Sequence, residues 1–183
     1  MKKIKILTVV LLMLATISYS QVGQVFPDLS GKTLLNQMVT LPKDSKGKMT
    51  LIGISYSQKS EDELTTWFQP LYTNFIEETK GNLFPDDNYD INIYIVPMLV
   101  GINKGRGDQL RNYLKSQLDP ELQKYVLIYE GELKPYKDAL KFGAKDAPYF
   151  YLLDEQGKIV YQTSGAYTND KLEKIIGELD KEE

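Results

Sequence analysis

The feature of this chain that most constrains its fold is the alternation of apolar runs with helical segments. Residues 51–54 form a continuous apolar run, as in a central strand covered on both faces. Residues 91–96 are rich in β-branched side chains and predict a second strand, and residues 125–129 predict a third. Helical spacing of apolar residues between these runs implies parallel pairing, because helical crossovers join parallel strands. The pattern therefore predicts an α/β fold.

A β-hairpin in the last third of the chain supplies an antiparallel edge to the predicted sheet. Its first strand begins at Pro148 and its turn contains Gly157, so the pair covers residues 146–162. The predicted sheet is therefore mixed. We interpret three hairpin tyrosines as core residues, with a contact surface beside Tyr56 as the alternative: Tyr149, Tyr151 and Tyr161.

The first crossover helix is predicted at residues 60–79. Ser60 precedes an acidic first turn and Glu63 follows three residues later, which is a capping-box pattern. Pro70 should kink this helix because proline removes a helical hydrogen bond. The other predicted elements are turns at 28–31 and 42–47 around a short strand at Val39 and Leu41, a polar loop at 81–90, a mobile loop at 101–107, a helix capped by Asp108, a short helix at 132–142 and a last helix after Asn169.

The composition excludes several classes of chemistry. The 183 residues include no cysteine and no histidine, so disulfide, thiolate and imidazole chemistry are all excluded. The formal net charge of −3 argues against a general nucleic-acid binder, which would present a basic face. The acidic run at 61–63 is typical of a helix start, and the run at 86–90 lacks the spacing of a calcium loop. No metal and no cofactor is therefore predicted.

Residues 1–20 have the plan of a secretory signal peptide. Three lysines lie within the first five residues, an apolar stretch covers 6–17, and the serines at positions 18 and 20 precede Gln21. Cleavage before Gln21 would leave a single domain, residues 21–183. An uncleaved membrane anchor is the alternative, but the apolar stretch is shorter than the roughly 20 residues of a transmembrane helix. We therefore expect an exported protein, periplasmic or secreted, with no stable membrane insertion after cleavage.

Residues 50–60 are a strand and a turn that resemble the active-site region of the thioredoxin-like superfamily. Residues 147–160, which read Ala-Pro-Tyr-Phe-Tyr-Leu-Leu-Asp-Glu-Gln-Gly-Lys-Ile-Val, resemble its cis-proline strand and hairpin. Residues 25–42 resemble the N-terminal extension of the TlpA-type and peroxiredoxin-like branch. The resemblance covers about residues 22–180. It implies a thioredoxin-like three-layer sandwich with a central mixed β-sheet, helices on both faces and an N-terminal β extension.

The turn departs from the thioredoxin pattern at both sulfur positions, which hold Ser57 and Ser60. Thiolates carry the disulfide exchange of that superfamily because a helix N-terminus lowers their pKa, and a serine hydroxyl does not replace them. A serine nucleophile needs an activating base, the chain has no histidine, and Lys59 would have to be buried to serve. The structural alternative is that Ser60 is a helix N-cap and Ser57 a turn residue. We predict a redox-inactive protein.

The thioredoxin resemblance also implies a binding groove beside this turn. The backbone at the cis-proline of that fold offers hydrogen bonds to an extended peptide, and Ala147 and Pro148 match that position. We therefore predict a module that binds a protein or an extended peptide, of assembly or chaperone type. The alternative is an enzyme of non-thiol chemistry that uses the serines or carboxylates. The predicted binding residues are Tyr56, Ser57, Gln58, Lys59, Ser60, Ala147 and Pro148.

Several short stretches carry a second, narrower resemblance. They are Ser57-Gln58 before Trp67-Phe-Gln-Pro70, Tyr125-Val-Leu-Ile-Tyr-Glu-Gly before Tyr136-Lys-Asp-Ala-Leu140, and Tyr149-Phe-Tyr-Leu-Leu-Asp with Ser164-Gly165. These stretches resemble the mitochondrial ATP synthase assembly factors that share the thioredoxin fold. The resemblance implies an assembly role with a protein partner. A mitochondrial role does not carry over to an exported chain.

The loop at 101–107 is a second candidate site. Its glycines leave backbone N–H groups accessible, and Lys104 and Arg106 add two cations, so the loop is a possible anion site. It lacks the lysine and hydroxyl residue that close a phosphate loop. A solvated loop is the alternative.

Overall fold

The computed structural model describes residues 21–77 and 89–181. The predicted signal peptide and most of the predicted loop at 81–90 lie outside the described residues. No helix within the two described ranges is long and apolar enough to cross a membrane.

One mixed sheet forms the centre of the described part of the chain. Its strands are β1 (Leu29–Thr33), β2 (Met38–Leu41), β3 (Thr50–Ser55), β4 (Asn92–Val100), β5 (Leu127–Gly131), β6 (Tyr149–Leu153) and β7 (Ile159–Ser164), in the spatial order β2-β1-β5-β4-β3-β6-β7. The central strands β3, β4 and β5 are parallel, whereas β6 and β7 are antiparallel to their neighbours. The β1–β2 hairpin joins the sheet through an antiparallel pairing of β1 with β5. The prediction of a mixed sheet with an antiparallel C-terminal edge is confirmed.

Helices cover both faces of this sheet. They are α1 (Gln58–Thr65), α2 (Phe68–Leu71) with a π-helical turn at Tyr72–Ile76, α3 (Gly107–Gln117), α4 (Lys134–Leu140) and α5 (Asn169–Leu179); short 3₁₀ turns lie at Lys43–Ser45, Gly101–Asn103 and Gln123–Tyr125. Tyr136 and Leu140 pack α4 on one face. Leu64, Leu71 and Ile175 pack α1, α2 and α5 on the other, and α3 packs on β5. The arrangement is a three-layer sandwich.

The core follows the two-residue alternation of the strands. Ile52 faces the α4 side and Leu51 the opposite side, as successive side chains of a strand must. Tyr149 and Tyr151 are buried on the α4 side, so their interpretation as core residues is confirmed. Tyr161 is half-buried and packs against the opposite core.

The helix predicted at 60–79 is divided into shorter pieces. Trp67 lies at the break between α1 and α2, with its fully buried ring packed on Phe150. Its indole N–H donates to the carbonyl oxygen of Gly165, 3.0 Å away. The interruption lies one turn before Pro70, which has no N–H to donate to the carbonyl oxygen of Thr66, so the predicted distortion by Pro70 takes the form of a break.

The prediction of a turn at 28–31 is wrong, because β1 begins there. Lys32 lies opposite Ile128 in the pairing of β1 with β5. A Cβ on Gly31 would lie 2.7 Å from the carbonyl oxygen of Ile128, which is too close for a side chain. The glycine therefore permits the close approach of two strands.

Asp108 does not cap α3, contrary to the prediction. The helix begins at Gly107, and its N-cap residue, Arg106, makes no capping hydrogen bond with its side chain. Asp108 forms an ion pair with the buried Arg111, whose Nε–H donates to the carbonyl oxygen of Thr33 at 3.3 Å. The pair ties α3 to the end of β1.

Candidate functional site at the carboxyl edge of the sheet

The predicted binding residues meet beyond the carboxyl end of β3. The turn at 56–59 leads from β3 into α1, and Pro148 directly precedes β6. Tyr149 of β6 pairs with Ile54 of β3, so the turn and the Ala147–Pro148 segment are neighbours. The fold thus brings together the two sides of the predicted groove.

Ser57 is the N-cap of α1, and the prediction of Ser60 in that position is wrong. The Ser57 backbone is extended, and its Oγ accepts the N–H of Ser60 at 3.1 Å. Ser60 Oγ accepts the N–H of Ser57 at 2.9 Å and that of Tyr56 at 3.1 Å, and it donates to the carbonyl oxygen of Ser57 at 2.8 Å. A hydroxyl offers one donor and two acceptor positions, so the fully buried Ser60 uses all of them. The two serines form a reciprocal capping box at the two sulfur positions.

The Ser57 hydroxyl also contacts the segment at 144–146. Its Oγ lies 3.1 Å from the carbonyl oxygen of Lys145 and 3.4 Å from Oδ1 of Asp146, and its one proton serves one acceptor at a time. The Tyr56 hydroxyl donates to the carbonyl oxygen of Ala144 at 3.3 Å. The chain's own segment therefore lies against the turn, and a partner would approach from outside it.

Tyr56 is partly a core residue. Its ring stacks on Phe142 and Tyr149, with ring centroids 5.4 and 6.5 Å away. Burial, with smaller effects of Tyr149 and Asp146, raises the pKa of Tyr56 to about 12. The phenol is therefore neutral at physiological pH, and it donates a hydrogen bond.

The Ala147–Pro148 peptide bond is trans, since the cis bond of the described residues is Leu41–Pro42. The sequence left the isomer of this bond open, and the bond differs here from the cis-proline of the thioredoxin pattern. Pro148 is buried, and its carbonyl oxygen accepts the N–H of Gly165 at 2.9 Å at the start of the β6–β7 pairing. Ala147 is only partly exposed.

The exposed members of the turn are Gln58 and Lys59. The Gln58 amide donates to Asp62 at 3.3 Å. Lys59 makes no ion pair within the described ranges, and it is too exposed to act as a buried base. This edge therefore offers polar and aromatic contact groups, and its two serines are held in a cap.

The predicted anion loop already receives an anion from the chain itself. One carboxylate oxygen of Glu130 accepts the N–H groups of Gly105 at 2.9 Å and Gly107 at 3.0 Å. Lys104 forms an ion pair with Glu132. The backbone donors and one of the two predicted cations are therefore used internally.

Arg106 is the other predicted cation of this loop. Its Nη1 donates to Asn103 Oδ1 at 3.3 Å and its Nε to Gln109 Oε1 at 3.5 Å. No carboxylate lies within ion-pair distance of it in the described part of the chain. Within the same ranges, no cluster of three or more acidic side chains is placed to hold a metal ion.

Nearly the whole chain matches one protein family. The sequence model described as ATP10 protein matches residues 13–179. The chain belongs to the ATP10 family. The narrower resemblance, to assembly factors of the thioredoxin fold, is thereby confirmed. Among curated proteins, none matches this ATP10 family member.

Solved structures similar to this ATP10 family member share its fold. The exposed lipoprotein thioredoxin Etrx1 of Streptococcus pneumoniae is 18% identical with a TM-score of 0.53, and the match covers 82% of this chain and 99% of that one. Yeast Sco1 is 17% identical with a TM-score of 0.54, over 87% of this chain and 96% of its own. BsSco, a member of the Sco family of cytochrome c oxidase assembly proteins, is 13% identical with a TM-score of 0.56, and the match covers 85% of this chain and 94% of that one. The predicted thioredoxin-like fold is confirmed.

Sequence reasoning missed three contributors to this edge of the ATP10 family protein. Glu130 gave no signal, because its contact with the loop depends on the pairing of β4 with β5. The segment at 144–146 gave none either, since it meets the turn 88 residues away in sequence. Ile102 did give a signal, an apolar residue inside a polar loop, and its side chain is 97% exposed.

Proposed function

We propose that this ATP10 family member is a redox-inactive assembly factor that binds a segment of a partner protein beside the turn at 56–60. We propose further that it acts after export, in the periplasm or outside the cell. Membership of the ATP10 family supports the assembly role. The capping box of Ser57 and Ser60 supports a binding function without catalysis, and this observation carries the proposal.

The state of the two serines disfavours an enzyme. Every hydrogen-bonding position of Ser60 is used by the backbone of the turn, so activating it would break the start of α1. The Ser57 Oγ lies within hydrogen-bonding distance of the Lys145 carbonyl oxygen, Oδ1 of Asp146 and Ser60 Oγ, and the Asp146 side chain is exposed. A nucleophilic serine needs a base positioned to take its proton, and the chain has no histidine. Thiol chemistry is excluded by the absence of cysteine.

The partner is expected to contact the exposed rim of the turn. Gln58 and Lys59 supply hydrogen bonds and a charge, while Ala147 and the exposed side of Tyr56 supply apolar surface. Tyrosine is enriched at binding hot spots because one rigid ring buries a large area. The hydrogen bond from the Tyr56 hydroxyl to the carbonyl oxygen of Ala144 holds the segment at 144–146 beside this rim.

Capture of partners from the organism's own envelope fraction tests the binding function. We expect Lys59→Glu to weaken binding of the captured protein by roughly tenfold or more, as removal of an interface contact does. Lys46→Glu makes the same charge change at an exposed position remote from this edge and is the matched control. Ser57→Ala should lower thermal stability and leave affinity unchanged. If the protein were an enzyme that uses Ser57, Ser57→Ala would abolish turnover and Lys59→Glu would have little effect.

Mass spectrometry of the exported protein tests the export proposal. Cleavage by a signal peptidase should give a mature chain that starts at Gln21, because small residues stand at the positions that precede it. Recovery of the chain with residues 1–20 intact in the cytosolic fraction would contradict it.

A further inference from the structure

We infer that the loop at 101–107, called the Ile102 loop below, anchors the partner protein. We infer also that the partner's matching surface is an apolar pocket beside a carboxylate. The inference rests on the proposed function and adds the chemistry of the partner. Two groups carry it, the side chain of Ile102 and the guanidinium of Arg106.

Ile102 presents almost its whole side chain to solvent, at 97% exposure. A single exposed apolar residue is ordinary on a protein surface. Here, however, the residue follows a strand whose apolar side chains are buried at Met98 and partly buried at Leu99 and Val100. It lies in the 3₁₀ turn Gly101–Asn103, at the tip of a loop and not on a packed element. The Ile102 side chain therefore lies in solvent, outside the hydrophobic core.

The Ile102 loop is held in place from β5. The Glu130 carboxylate accepts the N–H groups of Gly105 and Gly107, and the ion pair of Lys104 with Glu132 adds a second tie. A Cβ on Gly107 would lie 2.2 Å from a Glu130 carboxylate oxygen, so a glycine is needed for this approach. A loop that is already ordered loses little conformational entropy when it binds. The bracing thus suits the loop for recognition.

Arg106 supplies the charge that selects a partner. Neutral side chains, those of Asn103 and Gln109, hold its guanidinium, and within the described ranges no carboxylate neutralises it. Arginine binds a carboxylate with two parallel hydrogen bonds, and it is enriched at interface hot spots. An aspartate or glutamate of the partner is therefore the complementary group, next to the pocket that receives Ile102.

The Ile102 loop and the turn at 56–60 face the same side of the molecule. They follow adjacent parallel strands, and Ser55 at the end of β3 pairs with Pro97 of β4. β4 then continues to Val100 before the loop begins. At about 3.3 Å per residue, the loop stands roughly 10 Å beyond the turn. A segment that lies on the turn would meet the loop at its end.

A bilayer surface is the competing occupant, and the charges disfavour it. Anionic lipid attracts clusters of basic residues, whereas here cations and carboxylates balance: Lys104, Arg106 and Arg111 against Asp108, Glu130 and Glu132. Even a whole myristoyl chain gives only marginal membrane binding, and one isoleucine buries far less. A protein pocket requires neither a basic field nor a long chain.

Site-specific photo-crosslinking in the organism's own cells tests the inference. The full-length protein would carry p-benzoyl-L-phenylalanine at position 102, at position 58 on the turn, or at position 38, an exposed apolar site on β2 that serves as the control. Position 102 should give one discrete protein adduct, and the crosslinked peptide should contain an aspartate or glutamate beside apolar residues. Lipid adducts, or the same products as position 38, would overturn the inference. Adducts at 58 without 102 would overturn it and leave the proposed function standing, whereas adducts at neither position would overturn both.

Affinity for the crosslinked partner, once purified, gives the second readout. We expect Ile102→Ser and Arg106→Gln each to raise Kd about tenfold or more, since each removes one hot-spot group. Met38→Ser and Lys46→Gln remove an exposed apolar side chain and an exposed cation elsewhere, and should leave Kd unchanged. Thermal melts of the four variants control for folding. Equal Kd values in the parent protein and Ile102→Ser would overturn the inference.

Discussion

The turn at 56–60 and the Ile102 loop follow neighbouring parallel strands, and both satisfy backbone N–H groups with side-chain oxygens. In the turn, the oxygens belong to Ser57 and Ser60, which lie within the turn itself. In the loop, the oxygen belongs to Glu130, on the adjacent strand β5. The turn therefore closes locally, whereas the loop depends on the packing of the sheet.

Because of this difference, the serines of the turn have a structural role, whereas the loop presents side chains to solvent. The turn is buried at Ser60 and stacked at Tyr56, so its two serines are used in holding the start of α1. The loop satisfies its backbone and still leaves Ile102 and Arg106 directed outward. The recognition groups that we propose on the loop, Ile102 and Arg106, therefore add to the exposed rim of the turn.

The largest expected effect on stability comes from Ser60→Ala. The change leaves the N–H groups of Tyr56 and Ser57 without their acceptor, which should cost about 2–3 kcal/mol. Ser57→Ala removes the N-cap and a partly exposed contact with the segment at 144–146, and should cost about 1 kcal/mol. Urea unfolding measures both, with Ser116→Ala at an exposed position of α3 as the control. Equal losses for the two turn serines would contradict a capping box centred on the buried Ser60.

The second largest effect on stability is expected from a disulfide introduced into the turn by Ser57→Cys and Ser60→Cys together. The two Oγ atoms lie 3.2 Å apart, so the side chains already point at each other. Closing so short a loop should stabilise the oxidised form by about 2 kcal/mol over the reduced form of the same variant. Mass spectrometry and unfolding with and without reductant measure it. Free thiols that persist under oxidant would show that the turn does not have the geometry of a disulfide site.

Local patterns in the sequence predicted most of the fold. The β6–β7 hairpin follows from Gly157 and its flanking strands, and the buried strand β3 from its apolar run. The N-cap of α1 was misplaced by three residues because Ser57 and Ser60 are both good cap residues. Only the backbone hydrogen bonds distinguish them.

The remaining errors have tertiary causes. The Trp67 side chain donates a hydrogen bond to Gly165, 98 residues later in the chain, a contact that local patterns do not show. The start of β1 was missed because Gly31 and Lys32 are typical turn residues, whereas in the fold Gly31 pairs with Val39 of β2 and Lys32 with Ile128 of β5. The candidate site likewise combines a local and a tertiary part. The position of the turn was predictable from the sequence, whereas the contact of Glu130 with the loop was not.

A smaller effect is expected from Glu130→Ala. It removes the acceptor of the N–H groups of Gly105 and Gly107, and should cost about 1 kcal/mol because the carboxylate is exposed. Glu132→Ala is the matched control: it breaks only an exposed ion pair with Lys104 and should cost less than about 0.5 kcal/mol. Hydrogen exchange of the loop amides should accelerate in Glu130→Ala alone. If the two variants behave alike, the loop is not braced by Glu130.

The smallest effect concerns the titration of Tyr56, the aromatic wall of the turn. Its pKa is raised to about 12, mainly by burial, whereas an unfolded tyrosine titrates near pH 10. The folded chain therefore keeps this proton where the unfolded chain has lost it, so the stabilisation is complete below about pH 10 and is lost as the pH rises through about 12. The free energy of unfolding should accordingly fall less steeply above about pH 10 in Tyr56→Phe than in the parent protein. Tyr113→Phe, which removes a phenol from the exposed side of α3, should keep the slope of the parent. The same slope in Tyr56→Phe and the parent would mean that the ring is solvated, and the turn would then be as open as the Ile102 loop.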